Sequence, residues 1–297
     1  MTWNGAHLLP ACLDAVLAEG APVVVVDNAS TDGTAALLAE RYPTVRVEHS
    51  PTNTGFAGGV TQGLAVVDTP YAVLLNNDAT VRPGWLAALT APFDDPAVAA
   101  VCSKLLLPDG RLNSAGGWVA ADGYARDIGF GEVDDGRWDM PAPVAFGCGA
   151  AVALRMSAVR AVGGMDPRYF LYYEDVDLCW RLQLAGWSVR YEPTAVVVHQ
   201  HSATAGAGSL RHTYYTERNR LATLVTCATA ARAWRAVLRF PLTTVSVALG
   251  ESRPKALRRA SAYLSFLAWL PALLRRRRRV AVRIPRAELE RRLVGRP

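Results

Sequence analysis

The first hundred residues alternate short apolar runs with amphipathic stretches, and this alternation admits few architectures. Residues 23–26 are four consecutive valine-class positions, and residues 45–48, 71–75 and 98–102 read as three more strands. Helical patterns lie between them over residues 31–40, 57–66 and 83–93, the last with a proline in its first turn. Strands alternating with helices predict an α/β fold built on a mostly parallel sheet covered on both faces. A chain of 297 residues, 51% of them hydrophobic, is long enough for one such domain plus an appendage.

Residues 108–143 are rich in Gly, Asp and Trp with little periodicity, which predicts a long loop region with short strands over the sheet edge. Residues 144–154 return to strand character, and residues 157–162 form a short helix. A further helix over 175–185 ends at Gly186, a suitable cap. Short strands at 188–191 and 195–198 follow, and the pattern is helical after His212. The five cysteines lie far apart without a C-x-x-C pair, so they read as buried thiols of a reducing compartment rather than a disulfide frame or zinc site. The N-terminus lacks a charged-then-apolar signal pattern, so a cytoplasmic location is expected.

In open α/β sheets ligands collect beyond the carboxyl ends of the strands, so polar residues there are the first candidates. The valine run delivers Asp27 to such an end, where its carboxylate can accept a hydrogen bond from the ring N–H of a uracil or thymine. Ser30, Thr31 and Asp32 behind it suit either capping of the next helix or ligand contact. Leu74-Leu75-Asn76-Asn77-Asp78 is a second strand with a polar tip. Hard divalent cations such as Mg2+ or Mn2+ take oxygen ligands and bridge a carboxylate to a diphosphate, although an Asx-rich turn has the same composition.

A third motif runs from Gly163-Gly164-Met165-Asp166 to Phe170-Leu171-Tyr172-Tyr173-Glu174-Asp175-Val176-Asp177-Leu178-Cys179-Trp180-Arg181. Its acids cluster at a helix start, where the macrodipole favours their ionised form. Asp177 and Arg181 stand four apart and read as a structural pair, while Glu174 or Asp175 suits a general base towards an acceptor hydroxyl. The fourth motif, Val196-Val197-Val198-His199-Gln200-His201-Ser202, brings a histidine to a strand end, as a metal ligand or as a structural side chain.

Together, in order and spacing, these motifs resemble the family 2 inverting glycosyltransferases of GT-A fold, and within them the bacterial rhamnosyltransferase-like branch. The resemblance covers roughly residues 2–220 and is strongest over 146–202, through G-C-G-A-A-V-A-L-R, V-G-G-M-D, F-L-Y-Y-E-D-V-D-L-C-W-R-L, A-G-W and V-V-H-Q-H-S. Asn53-Thr54-Gly55-Phe56-Ala57-Gly58-Gly59 is similar to the family's N-x-G-x-A-x-G element, whose backbone lies close to the donor. The resemblance implies that Asp27 holds the nucleotide base, with Thr2, Asn4, Asn28, Asn53, Gly58, Asn76 and Asn77 also on the nucleotide sugar. It implies Asp78 as metal ligand, His199 as a second ligand with His201 as the fallback, and Asp175 as catalytic base. Gly147, Cys148, Gly149 and Glu174 then line the cleft for sugar and acceptor. The implied reaction is one in-line displacement from a dTDP-, UDP- or GDP-sugar, with Mn2+ or Mg2+ as cofactor and a glycan or polyprenyl-diphosphate-linked acceptor.

Two departures stand out. The family opens with an apolar strand ending in T-x-N, whereas this sequence opens at Met1-Thr2-Trp3-Asn4, so an interior first strand is missing and is expected upstream of Met1. Asn76-Asn77-Asp78 carries one carboxylate where some relatives carry two or three.

The charge is unevenly distributed. From Glu251 onward 14 Lys and Arg face three Glu, against 18 basic and 23 acidic residues before it. Residues 237–249 and 262–274 are apolar segments of 13 residues, shorter than the roughly 20 that span a bilayer, and Pro241 and Pro271 are expected to interrupt them. Five consecutive arginines, Arg275 to Arg279, follow. This composition predicts a helical, basic extension over 221–297, appended to a domain over 1–220. An anionic membrane surface is the expected partner, with the protein peripheral on the inner face of the cell membrane. No nucleic-acid-binding motif accompanies the charge. A processive membrane synthase would need spanning helices and a Q-x-x-R-W element, and neither is present.

Overall fold

The computed structural model describes residues 1–200 and 209–293. The elements run α1 (Leu9–Leu17), β1 (Val24–Asp27), α2 (Thr34–Arg41), β2 (Arg46–His49), α3 (Gly55–Ala65), β3 (Tyr71–Leu75), β4 (Ala79–Val81), α4 (Trp85–Thr90) and β5 (Val98–Leu106). Short strands β6 (Leu112–Ser114), β7 (Gly117–Val119), β8 (Ala125–Asp127) and β9 (Ala142–Pro143) occupy the segment expected to be a long loop region with short strands. Then come β10 (Ala151–Arg155), α5 (Met156–Ala161), α6 (Glu174–Leu184), β11 (Ser188–His199), α7 (Leu210–Cys227), α8 (Ala230–Gly250), α9 (Arg253–Arg279) and α10 (Arg286–Leu293).

The principal sheet orders its strands β3-β10-β5-β11-β4, with β6 and β9 at its margins. The α/β class and the helical extension hold, but the pairing is mixed. Only β1–β2 and β5–β11 form parallel ladders, because β10 and β4 enter antiparallel to their neighbours. β5 is buried at every position and alternates its side chains between two cores. Cys102 and Leu106 face the helical layer with Leu154, Trp180 and Leu224, while Val101 and Leu105 face Trp85, Leu89 and Val197. The two strands expected at 188–191 and 195–198 are one long strand, with an irregularity between Glu192 and Val196.

β1 and β2 form a separate two-stranded sheet with its own small core of Leu9, Leu13, Val25, Leu38, Tyr42 and Val45. Among the described residues no strand lies between β1 and β3. Thr2 alone bridges to Asp27 in parallel, its N–H on the Val26 carbonyl at 2.8 Å and its carbonyl taking the Asn28 N–H at 2.9 Å. A cavity of about 990 Å3 fills the gap, lined by Val24, Val26, Val60, Leu64, Val73 and Leu75. Asn77 closes one end of this gap by donating to the Thr2 hydroxyl at 2.9 Å.

The extension is built into the fold. α7 runs through residue 220, where a boundary was expected, and α9 packs along both α7 and α8. Pro241 and Pro271 do not interrupt their helices: α8 and α9 continue through them. A proline removes one helical N–H and frees the carbonyl four residues earlier. For Pro241 that carbonyl belongs to Val237, and the Tyr263 hydroxyl of α9 donates to it at 3.2 Å.

Candidate active site

β4 and β11 bring the metal-site candidates together. Their antiparallel register sets His199 opposite Ala79, next to Asp78, and Gln200 N–H donates to the Asp78 carbonyl at 3.0 Å. His199 Nε2 then lies 3.2 Å from Asp78 Oδ1, both side chains buried. On its other side His199 Nδ1 is 2.7 Å from Asn113 Oδ1 of β6. An amide oxygen can only accept, so Nδ1 carries the proton towards Asn113 and Nε2 is the nitrogen that faces Asp78. Asp78 Oδ1 itself is buried without a hydrogen bond. One carboxylate oxygen and one imidazole nitrogen fit a divalent cation that takes its remaining ligands from a diphosphate and water. Among the described residues no group of three or more His, Cys, Asp or Glu is placed to hold a metal alone. His201 lies outside the described residues.

The acids at the start of α6 do different work. Asp175 is gripped by two backbone donors, Gly149 N–H on Oδ2 at 3.0 Å and Val176 N–H on Oδ1 at 2.7 Å. Burial raises its carboxyl above the ordinary range, and these backbone bonds oppose the rise. A carbon on Gly149 would stand 3.2 Å from the Phe56 ring and 3.7 Å from Asp175 Oδ2, so glycine there keeps the approach to Asp175 open. Glu174 is buried with Oε2 lacking a hydrogen bond, and burial, then the Asp175 charge, push its carboxyl well up. Of the two carboxyls, Glu174 is pushed further towards its neutral form, while Asp175 keeps two backbone donors on its oxygens.

Asp177 is wholly structural and more heavily bound than an i,i+4 pair. Arg181 reaches its Oδ2 at 2.9 and 2.7 Å, Arg276 of α9 spans both oxygens at 2.8 and 2.6 Å, and Tyr169 donates to it at 3.0 Å. Burial favours the neutral acid, but Arg181 and Arg276 prevail and hold the carboxyl at about 2. The loop before α6 has φ above zero at Phe170, Tyr172 and Tyr173, conformations that L-residues adopt only under constraint. Asn219 of α7 supplies the constraint, its amide donating to the carbonyls of Tyr169, Leu171 and Tyr172 at 2.7–2.9 Å.

At the nucleotide end, Asp27 closes β1 as a buried carboxylate that accepts Ser30 N–H at 3.0 Å and lies 3.4 Å from His49 Nδ1. Asn28 does not present its amide to a ligand. It donates to Asn53 Oδ1 and the Gly55 carbonyl and accepts from Thr54, so both donors and the acceptor are used in tying β1 to the turn before α3. Asn4 is engaged through its oxygen, which accepts Thr31 N–H at 2.7 Å. Asp32 is engaged by the protein, accepting from Thr34 N–H and hydroxyl at 3.2 and 2.6 Å and from Ala6 N–H at 3.0 Å. Thr2 and Asn77 bond each other, and Gly58 packs inside α3 against Thr54. Asn76 holds the tip by its backbone, N–H on the Ala150 carbonyl at 2.9 Å.

Gly147 packs on Cys102, and Cys148 leads into the cleft; burial, then Asp127 and Asp175, push its thiol well up. Asp127 was missed in the sequence. It ends β8, whose partner β7 is bridged to Phe146 just before the cleft. Its Oδ1 is buried without a hydrogen bond. Burial pushes the carboxyl up to about 6, the Ser114 hydroxyl opposes this, Asp175 adds to it and His199 pulls the other way. A third carboxyl thus lies within the electrostatic reach of both Asp175 and His199.

Residues 1–159 match Glycosyl transferase family 2. The chain belongs to that family. It is 34% identical over 206 residues to the pre-mycofactocin glycosyltransferase of Mycobacterium tuberculosis, covering 66% of this chain and only 41% of that relative's length. It is 31% identical over 234 residues to the N-acetylglucosaminyl-diphospho-decaprenol L-rhamnosyltransferase of the same organism, covering 70% of this chain and 76% of the relative. These likenesses place it in the rhamnosyltransferase-like branch. The solved structure of GalNAc-T7 with UDP, GalNAc and Mn2+ superposes with TM-score 0.63 at 14% identity, over 89% of this chain and 54% of that one. A mannosyltransferase from Pyrobaculum calidifontis in complex with GDP-Man and Mn2+ gives 0.57 at 20%, over 93% and 84%. Both confirm the GT-A-like fold of this family 2 glycosyltransferase.

Proposed function

We propose that this chain is a metal-dependent inverting glycosyltransferase that moves a sugar, rhamnose foremost, from a nucleotide-sugar donor to a polyprenyl-diphosphate-linked or polysaccharide acceptor in cell-envelope assembly. The observation that carries the reading is Asp175. It is a half-buried carboxylate with a raised pKa, held by two backbone N–H groups at a glycine-lined cleft, and Asp127 feels the charge of both Asp175 and His199. The sugar is supported by the decaprenol-linked rhamnosyltransferase relative, and the nucleotide and Mn2+ by the ligands of the superposing structures.

In the proposed reaction Asp27 accepts the ring N–H of the base, at the end of β1. Asp78 and His199 would hold the divalent cation, whose charge would offset that of the departing nucleoside diphosphate. Asp175 accepts the proton of the acceptor hydroxyl while that oxygen bonds to the anomeric carbon and the carbon–phosphate oxygen bond breaks. Attack comes from the face opposite the leaving group, so the configuration inverts. The hydroxyl grows acidic as its bond to carbon forms, so a carboxylate of modestly raised pKa suffices as base. The acceptor's lipid places the protein at the inner face of the membrane, with an anionic surface as partner of the C-terminal helices.

The test is transfer from a panel of radiolabelled dTDP-, UDP- and GDP-sugars into lipid extract, with Mn2+ or EDTA, for the native chain and Asp175→Asn. Metal-dependent transfer that disappears in Asp175→Asn, with donor binding retained, is the expected result. Donor binding with no transfer from any sugar would instead mark a non-catalytic nucleotide-sugar binder. Activity with galactofuranose, N-acetylglucosamine or mannose alone would keep the mechanism and replace the sugar.

A further inference from the structure

Fourteen large apolar side chains stand exposed on the described residues, and nine of them are on α8 and α9. On α8 they are Trp234, Leu238, Leu242, Val245 and Leu249, spaced four, four, three and four apart, which is one face of a helix. On α9 they are Leu257, Leu264, Leu267 and Leu274, again along one face. The opposite faces are already satisfied: Val237 and Phe240 of α8 and Phe266 and Leu273 of α9 are buried in the main core. Phe240 stacks on Tyr263 at 5.0 Å where the two helices meet. Exposed apolar area on this scale marks a surface that meets something other than water.

The charge around the stripes selects the occupant. Residues 230–279 carry twelve Lys and Arg and one acid, Glu251. Arg235 and Arg239 flank Leu238, and Arg275 and Arg278 flank Leu274, all exposed. A second copy would set cations against cations across the contact. The five-arginine run is also not a uniform patch. Arg276 turns inward to Asp177, and Arg277 donates to the carbonyls of Val225 and Ala228 at 2.8 and 2.7 Å, ending α7. Among the described residues no helix is long and apolar enough to cross a membrane.

We infer that α8 and α9 lie along an anionic phospholipid surface, with the two leucine stripes at the acyl boundary and the flanking arginines at the phosphates. The inward arginine makes this docking pair continuous with the catalytic helix, because Arg276 of α9 is bonded to Asp177, two residues from Asp175. The inference names the membrane-contacting face within the proposed function. Its test measures no sugar transfer, so either reading can fail without the other.

The experiment is co-sedimentation of the full chain with vesicles of phosphatidylcholine and phosphatidylglycerol, compared with phosphatidylcholine alone. The native chain binds the anionic vesicles more tightly, and salt weakens that binding. Leu238→Glu combined with Leu242→Glu lowers the partition coefficient about tenfold or more. These two side chains are 72% and 71% exposed, so thermal unfolding is unchanged and a folding defect is separable. Arg275→Ser combined with Arg278→Ser weakens binding to anionic vesicles only. Equal sedimentation of the native and double-glutamate chains overturns the inference, as does a native chain that binds neither vesicle. A dimer in the ultracentrifuge that the glutamate pair dissociates would assign the stripes to a second copy instead.

Discussion

Arg276→Ala tests whether the basic extension serves the catalytic helix or only decorates the surface. The native side chain makes two bonds to Asp177, at 2.8 and 2.6 Å, and lies 3.6 Å from Asp166. Asp177 is 0% exposed, so water cannot replace what is lost. Removing one partner of a buried pair costs about 3–5 kcal/mol when the remaining charge is stranded. Here Arg181 and Tyr169 stay bonded to Asp177, which reduces the expected loss to about 2 kcal/mol, or about 3 °C in Tm for a chain of this size. The pH dependence distinguishes this from a packing loss. The Asp177 carboxyl is depressed from 3.8 to about 2, so its contribution is complete above about pH 4 and is lost as pH falls through the folded value. Urea unfolding at pH 7 and pH 3 should therefore show a large difference between native and variant at pH 7 and a smaller one at pH 3. Transfer should fall as well, since Asp177 sits on the first turn beside Asp175. Arg278→Ala, exposed in the same run, is the control and should stay within about 0.5 kcal/mol. If the two variants behave alike, or if the Arg276→Ala loss is the same at both pH values, the clamp is not what secures α6.

Four further outcomes are expected. Asn113→Ala removes the oxygen that orients His199 and should weaken Mn2+ binding, read by titration of the protein with the metal, about 10–100-fold; unchanged affinity would mean that His199 is not a ligand. Asp127→Asn should stabilise the fold by about 2 kcal/mol at pH 8, because a carboxyl raised from 3.8 to about 6 costs stability progressively as pH climbs through that window. The gain should vanish below pH 4, and a gain independent of pH would refute the cause. The pH profile of kcat/KM should have its acidic limb above the ordinary carboxylate value of roughly 4, since Asp175 acts deprotonated and its pKa is raised; a limb at the ordinary value would remove Asp175 as the titrating base. Gly149→Ala should lower transfer severalfold with donor affinity unchanged, because its new carbon crowds Phe56 and the approach to Asp175, and loss of donor binding instead would place this glycine elsewhere in the site.

The legible part of this site is the part where hydrophobic pattern breaks. A valine run that stops at Asp27, a leucine pair that stops at Asn76 and a valine run that stops at His199 each announce a strand end, and strand ends are where this fold puts its polar groups. The acids of α6 were visible as a helix start for the same reason. The supporting residues carried no such break. Asn113 meets His199 across 86 positions and Arg276 meets Asp177 across 99, so no local window contains both partners. Asp127 lies in a segment where short strands are expected but cannot be positioned, each being too brief for a period of two to register.

The same distinction explains why Asn28, which the resemblance sets on the ligand, has both its donors and its acceptor committed to the protein. At a strand end an asparagine is equally suited to a nucleotide and to a neighbouring turn, because both offer one donor and one acceptor. Asp27 differs in kind. A carboxylate offers only acceptors, and the contacts of Asp27 with Ser30 N–H and His49 leave accepting capacity unspent. Charge and donor count, rather than position on the strand, therefore separate the residues left to bind a substrate from those that hold the binding residues in place.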